Sequence, residues 1–233
     1  MVRLNRFSAP QRWGCTEFLN GYPEMALEQI EDGGIRLVGT FRFAASLAGD
    51  TTAMEDQFQI AIEVPRPFPR EIPTVFETGE RIPRSAEFHV NSDASLCLGS
   101  PIRLLSIIAT SPTILGFTDR ILVPFLFAVS ESVNGRLSFP FGELPHGAPG
   151  ALTDYQAMFG LKTRREAKLA LQALSTRKRI ANKRPCPCGC GLRLGKCPLR
   201  LKLNPFREAA SRAWFAKEVR RVDGVSEQDL GTA

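Results

Sequence analysis

Two stretches of this chain alternate apolar and polar side chains: Gly34-Ile35-Arg36-Leu37-Val38-Gly39-Thr40-Phe41-Arg42-Phe43 and Gln57-Phe58-Gln59-Ile60-Ala61-Ile62-Glu63-Val64. A period of two puts every second side chain on one face, so each run predicts a half-buried antiparallel strand. Small and acidic residues around Ala48-Gly49-Asp50 join the two runs. The Pro-rich segment Phe68-Pro69-Arg70-Glu71-Ile72-Pro73 then leads to a third short strand near Thr74-Val75-Phe76-Glu77. Downstream, Ser111-Pro112 reads as an N-cap followed by proline at the first helical position. The helix it opens carries Ile114, Leu115, Phe117, Ile121, Leu122, Phe125, Leu126 and Val129, a broad core-facing stripe, and Pro124 predicts a kink within it. Strands followed by helices make an α+β class.

Between the third strand and this helix lies Phe88-His89-Val90-Asn91-Ser92-Asp93-Ala94-Ser95-Leu96-Cys97-Leu98. A thiolate both attacks acyl carbons and leaves when an amine attacks in turn, so Cys97 suits an acyl relay. The Asn91 amide suits the oxyanion formed in that attack, where one lost donor costs roughly 3 to 4 kcal/mol. Taken alone, Leu96-Cys97-Leu98 reads as a cysteine packed in a core, and it is the order of the surrounding elements that turns the reading toward chemistry. Asp93 is the acid nearest to Cys97 in sequence and a candidate to orient or deprotonate an incoming amine. Its other reading is a turn residue, since Asn, Ser and Asp all bond their own backbone. Asp119 on the helix reads as solvent-facing, and His146, in a Pro- and Gly-rich loop, as an exposed loop histidine.

In this order of elements, residues 20–130 resemble the ubiquitin-conjugating E2 family. The resemblance rests on the Phe-Pro-x-x-x-Pro turn from Phe68 to Pro73, His89-x-Asn91, Cys97-Leu98 and the Ser111-Pro112 helix start. It implies a UBC-like fold, an antiparallel β-meander packed on helices, with the active cysteine in an extended loop. It further implies Cys97 as thioester nucleophile, Asn91 as support for the tetrahedral intermediate and His89 as the residue that orders the loop. Five residues separate Asn91 from Cys97, and Val90 stands where the family usually has proline. In this the chain looks more like divergent bacterial E2-like proteins found beside antiviral signalling enzymes, as does the run Phe141-Gly142-Glu143-Leu144-Pro145-His146-Gly147. That likeness implies an acyl transferase that receives a ubiquitin-like protein, or a nucleotide second-messenger synthase, from an E1-like activating enzyme. No Gly-rich phosphate loop is present in the sequence, so activation falls to a partner.

Pro185-Cys186-Pro187-Cys188-Gly189-Cys190-Gly191-Leu192-Arg193-Leu194-Gly195-Lys196-Cys197-Pro198 concentrates four of the six cysteines. Four soft ligands suit tetrahedral Zn²⁺, which holds small loop-rich segments that bury no core of their own. The spacing resembles the SEC-C zinc motif. Where that motif has its fourth ligand this chain has Pro198, and Cys190 stands as the substitute, giving the set Cys186, Cys188, Cys190 and Cys197. Disulfides are the alternative, disfavoured because residues 1–7 show no apolar signal-peptide core and clustered cysteines inside cells bind metal more often.

Residues 161–200 hold twelve Lys or Arg and one acid, Glu166, a net +11 in a chain of net +6. That asymmetry suits an acidic protein face or nucleic acid, although no interleaved aromatics are there to stack on bases, and a solvated helix face is the plainer reading. Leu169, Leu171, Leu174 and Ile180 predict a helix in this region, and Phe206, Ala210, Trp214 and Phe215 predict a last helix over 205–222. At 233 residues the chain suits a UBC-like domain over 1–150 and a basic helical extension over 151–233 with a zinc motif at 185–198, divided near the Pro- and Gly-rich stretch 139–150. The tail 226–233 reads as frayed. No run of eighteen apolar residues occurs, so a cytoplasmic protein with no membrane partner is expected. Two rival readings are a UBC-like scaffold without thioester chemistry and a zinc-stabilised nucleic-acid-binding protein.

Overall fold

The computed structural model describes residues 13–30, 33–46, 53–133 and 147–225. The loop around Ala48-Gly49-Asp50, His146, most of the 139–150 stretch and the 226–233 tail lie outside them. The described residues form two compact units, one from 13–98 with 107–133 and the other from 99–106 with 147–225.

The first unit is built on a four-stranded antiparallel meander, β1 (Met25–Gln29), β2 (Ile35–Ala45), β3 (Met54–Val64) and β4 (Thr74–Glu77), in that spatial order. The α+β class and the antiparallel strands expected from the period-two runs are borne out, and the sheet is the antiparallel meander that the resemblance implies. Register explains the alternation: Ile35 pairs with Val64, Leu37 with Ile62 and Phe41 with Phe58. All six side chains are buried, each contributing roughly 1.5–3 kcal/mol by leaving water. Strand β1 was not legible, and it pairs Leu27 with Leu37 and Met25 with Gly39.

Gly39 shows why a residue without a side chain stands in mid-strand. Its φ is +143°, and a Cβ placed there would lie 2.1 Å from the Glu24 carbonyl oxygen. Gly39→Ala is therefore expected to destabilise the unit by about 2 kcal/mol or more, read as a lower urea midpoint at unchanged slope.

Helix α1 (Cys15–Gly21) precedes the sheet, and α2 (Pro101–Thr110), α3 (Ile114–Phe117) and α4 (Val123–Val133) follow it, with a π turn over Thr118–Leu122 between the last two. Every member of the expected stripe except Leu115 is buried, and Asp119 is exposed as expected. The cap is two residues beyond its expected place at Ser111. Thr113 accepts a bond from the Gly116 amide, and Pro112 lies outside the helix. A Ser-Pro pair does open a helix, but it is Ser100-Pro101 at α2. Pro124 stands in the first turn of α4, directly after the π turn, in which the Val123 amide reaches back to the Thr118 carbonyl. Arg81 fastens the loop after β4: its guanidinium meets both Asp56 oxygens at 2.5 and 2.8 Å and lies 4.4 Å over the Phe58 ring, while Ser130 of α4 donates to Asp56 at 2.6 Å.

The second unit has its own core. Helices α5 (Gly147–Phe159), α6 (Arg164–Ser175), α8 (Leu199–Ala209) and α9 (Arg212–Val222) bury Leu152, Phe159, Leu171, Leu174, Leu203, Phe215 and Val222. The short α7 (Lys178–Ala181) follows α6. Thr163 and Glu166 form a reciprocal capping box at the start of α6. At its end Arg207 donates to the Ala173, Leu174 and Thr176 carbonyls at 2.7 to 3.2 Å, covering acceptors that the helix leaves open.

The helix expected around Leu169, Leu171 and Leu174 is present as α6; Ala167, Ala170, Leu171 and Leu174 face its core side, while Leu169 and Ile180 are 43% and 42% exposed. One expectation needs correction here. The single helix expected over 205–222 is two, since the chain is extended at Ala210 and Ser211 caps α9 by accepting from the Trp214 amide.

Candidate functional site

The segment from His89 to Cys97 folds back on itself as a tight hairpin. Val90 bridges Leu96, the Cys97 amide donates to the His89 carbonyl at 2.7 Å, and the Asn91 amide donates to the Ser95 carbonyl at 2.8 Å. The hairpin is joined to the sheet, because Ser95 bridges Phe76 and the Leu96 amide donates to the Val75 carbonyl at 2.8 Å. His89 and Cys97 are thus cross-strand neighbours. His89 has φ +54° at the end of a short 3-10 turn (Ala86–Phe88), and its ring meets the Phe125 ring edge-on at 6.5 Å. Ala94, also at positive φ, makes the hairpin's return. A left-handed Ala is costly by about 1–3 kcal/mol, so the surrounding bonds must over-determine it.

Those bonds form a chain. The Asn91 carboxamide donates to Ser95 Oγ at 3.0 Å, Ser95 Oγ donates to an Asp93 oxygen at 2.6 Å, and the Ser95 amide donates to the same oxygen at 3.0 Å. Ser95 is buried, whereas Asn91 and Asp93 are exposed and Cys97 and His89 half-buried. Ser95's hydroxyl, then its amide, hold the Asp93 carboxyl below the usual carboxylate range. A stabilised carboxylate is a weaker base, which favours the turn reading of Asp93 over proton abstraction. Sequence reasoning gave Ser95 no role; the signal was an Asp two residues before a Ser, the spacing of an Asx turn.

The hairpin also fixes which donors remain. The Cys97 amide is spent on His89, so it does not point at an oxyanion on Cys97. The Asn91 carboxamide has two N–H groups, of which Ser95 Oγ accepts one.

In the second unit, Cys186, Cys188, Cys190 and Cys197 place all four Sγ atoms within 4.8 Å of one another. The chain gets there by a knuckle. Pro185 bridges Arg193, the Cys186 amide donates to the Leu192 carbonyl at 2.8 Å, and Gly189 and Gly191 turn at φ +67° and +76°. Cys197 arrives from the other side at the end of a 3-10 turn (Leu194–Lys196), just before α8. The Cys186–Cys188 and Cys188–Cys197 sulfurs are 3.2 and 3.7 Å apart. A disulfide needs about 2.05 Å; a tetrahedron with Zn–S of about 2.3 Å spaces its sulfurs by roughly 3.8 Å. The donor set therefore fits a tetrahedral metal ion. Without one, burial pushes the Cys186 and Cys188 thiols up, while the Leu192 amide draws Cys190 down.

No family model matches the chain, and no curated protein matches it. Among solved structures it is similar to the yeast vps23 UEV domain, seen in complex with a vps27 PSDP peptide, at 14% identity and a TM-score of 0.33, over 55% of this chain and 85% of that one. A likeness of that size fixes neither fold family nor function. Among the described residues, no helix is long and apolar enough to cross a membrane.

Proposed function

We propose that the first unit is a UBC-like, E2-like acyl carrier with Cys97 as its nucleophile. The observation that supports this best is the hairpin itself: a half-buried, unpaired cysteine held beside the sheet edge by backbone bonds, with an exposed carboxamide held in place six residues earlier. Among the described residues Cys97 has no disulfide partner, and it does not lie in the sulfur cluster.

In the first step the Cys97 thiolate attacks the C-terminal carbonyl of a donor protein held as a thioester on an activating enzyme. A new C–S bond forms at Cys97, and the enzyme's sulfur leaves as a thiolate. In the second step a target amine attacks that carbonyl, the oxyanion collapses, Cys97 leaves as a thiolate, and the amine's proton passes to solvent. The free N–H of Asn91 serves the oxyanion. His89 acts through its carbonyl, which holds the Cys97 amide. On the resemblance to bacterial E2-like proteins, the donor is a ubiquitin-like protein or a nucleotide second-messenger synthase of an antiviral system, brought by an E1-like partner in the cytoplasm. The second unit is a helical extension held by structural Zn²⁺.

Ser95 and Asp93 are then positioning residues for Asn91. Asn91→Ala is expected to leave Cys97 charging intact and to slow transfer to amine by roughly 100-fold, the size of one lost oxyanion donor. Ser95→Ala should slow transfer less, and should add nothing in the Asn91→Ala background, because both act on one donor. Single-turnover charging and discharge assays separate the steps. Unchanged discharge in Asn91→Ala removes Asn91 from the mechanism; additive losses in the double variant remove the Ser95 link alone.

A further inference from the structure

The knuckle brings together cations that are distant in sequence. Between Arg177 and Arg200 stand Arg177, Lys178, Arg179, Lys183, Arg184, Arg193, Lys196 and Arg200, and no Asp or Glu. All eight are exposed, and none makes an ion pair among the described residues. Their backbone frame is fixed. The Leu194 amide donates to the Arg184 carbonyl and the Gly195 amide to the Asn182 carbonyl, both at 3.0 Å, and Arg193 bridges Pro185. Lys183 and Arg184 therefore stand beside Arg193 and Lys196, on paired segments that cannot spread apart to relieve their repulsion. One oxygen of the Glu166 carboxylate accepts from the Lys162 and Thr163 amides, and the other lies 4.0 Å from where a Cβ on Gly189 would stand, so a single carboxylate borders the patch there.

We infer that this face is a docking surface for the phosphate backbone of a nucleic-acid duplex. Two features select that partner. Eight cations with no acid among them in the run from Arg177 to Arg200 match the dense, regular charge of a duplex, which carries one about every 1.7 Å along its axis. No Phe, Tyr or Trp lies between Arg177 and Arg200, so nothing there stacks on the open bases of a single strand. The inference stands apart from the acyl-transfer reading, since it uses no residue of the Cys97 hairpin.

Fluorescence anisotropy of the full chain against a labelled DNA duplex of mixed sequence, over a series of KCl concentrations, tests it. Each neutralised phosphate adds about −0.9 to the slope of log K against log salt. A slope of about −3.5 or steeper is expected, and Arg184→Ala with Arg193→Ala should flatten it by roughly 1.8 while zinc content stays unchanged. Lys178→Ala with Lys183→Ala, whose side chains touch no part of the knuckle's hydrogen bonding, should flatten it similarly. Arg66→Ala, an exposed cation of the first unit, should leave it alone. Absence of binding at low salt, or a slope indifferent to both double variants, overturns the inference. Displacement by poly-glutamate as effective as by unlabelled duplex points to an acidic protein instead, and tighter binding of a single strand than of the duplex overturns the choice of duplex.

Discussion

Cys97→Ser, expressed together with the genes that flank its own, is expected to accumulate a protein-sized adduct at position 97, while Cys97→Ala accumulates none and loses conjugation entirely. The reasoning is about the leaving group. A thiolate leaves readily when an amine attacks, so the thioester on Cys97 turns over; a serine alkoxide leaves poorly, so the same acyl group stays as an oxyester that survives intact-mass analysis. The substitution is small and the side chain only half-buried, and the hairpin is held by the Cys97 amide, which serine keeps. A folded variant is therefore expected, with a thermal midpoint close to that of the parent. The added mass names the donor, which the sequence does not. If the activating partner is verified as present and position 97 stays bare, Cys97 is not an acyl carrier, and the first unit is better read as a scaffold.

The parts of this fold that were legible in sequence are those where local pattern and tertiary pairing agree. Strands β2 and β3 announce themselves because their buried faces pair residue for residue, Ile35 with Val64 and Phe41 with Phe58. Strand β1 does not: Met25-Ala26-Leu27-Glu28-Gln29 consists of good helix formers, and only its pairing with β2 makes it extended. The helix start expected at Ser111-Pro112 is displaced because the neighbouring Thr113 offers the same hydroxyl and accepts from the Gly116 amide, a choice among adjacent caps that the local motif does not settle. At the hairpin, Cys97, Asn91 and His89 were legible as residue types in order, yet their relation was not. The His89 carbonyl accepts from the Cys97 amide, and Asn91 is tied to Asp93 through Ser95, a bond chain that depends on rotamers and on the left-handed Ala94. The sulfur cluster was legible throughout, because four thiols brought close by two glycine turns need no distant part of the chain except Cys197.

Closeness of the four thiols makes the second large prediction sharp. The purified protein should carry about one equivalent of zinc, and Cys186→Ser with Cys188→Ser should carry none, because two of four ligands are gone, one of them central to both measured sulfur pairs. Zinc binding of this kind is worth on the order of 10 kcal/mol or more to the segment it closes. What should unfold is nonetheless local. The helical core of the second unit is closed by Leu171, Leu174, Leu203 and Phe215, and by Tyr155, whose hydroxyl donates to the buried Glu218 carboxylate that Arg221 also holds. None of these side chains belongs to the knuckle. The double variant is therefore expected to keep most of its far-ultraviolet helical signal and to gain protease cleavage between Asn182 and Pro198. Unchanged metal content refutes the ligand set. Loss of metal together with the whole helical signal would mean that the paired segments around Arg184 and Leu194 organise the helices, rather than the reverse. Cys190→Ser separates the fourth ligand from the other three: Cys190 is exposed, so its replacement should leave a three-thiolate site that loses zinc to a chelator faster than the parent does, with the fold of the knuckle retained.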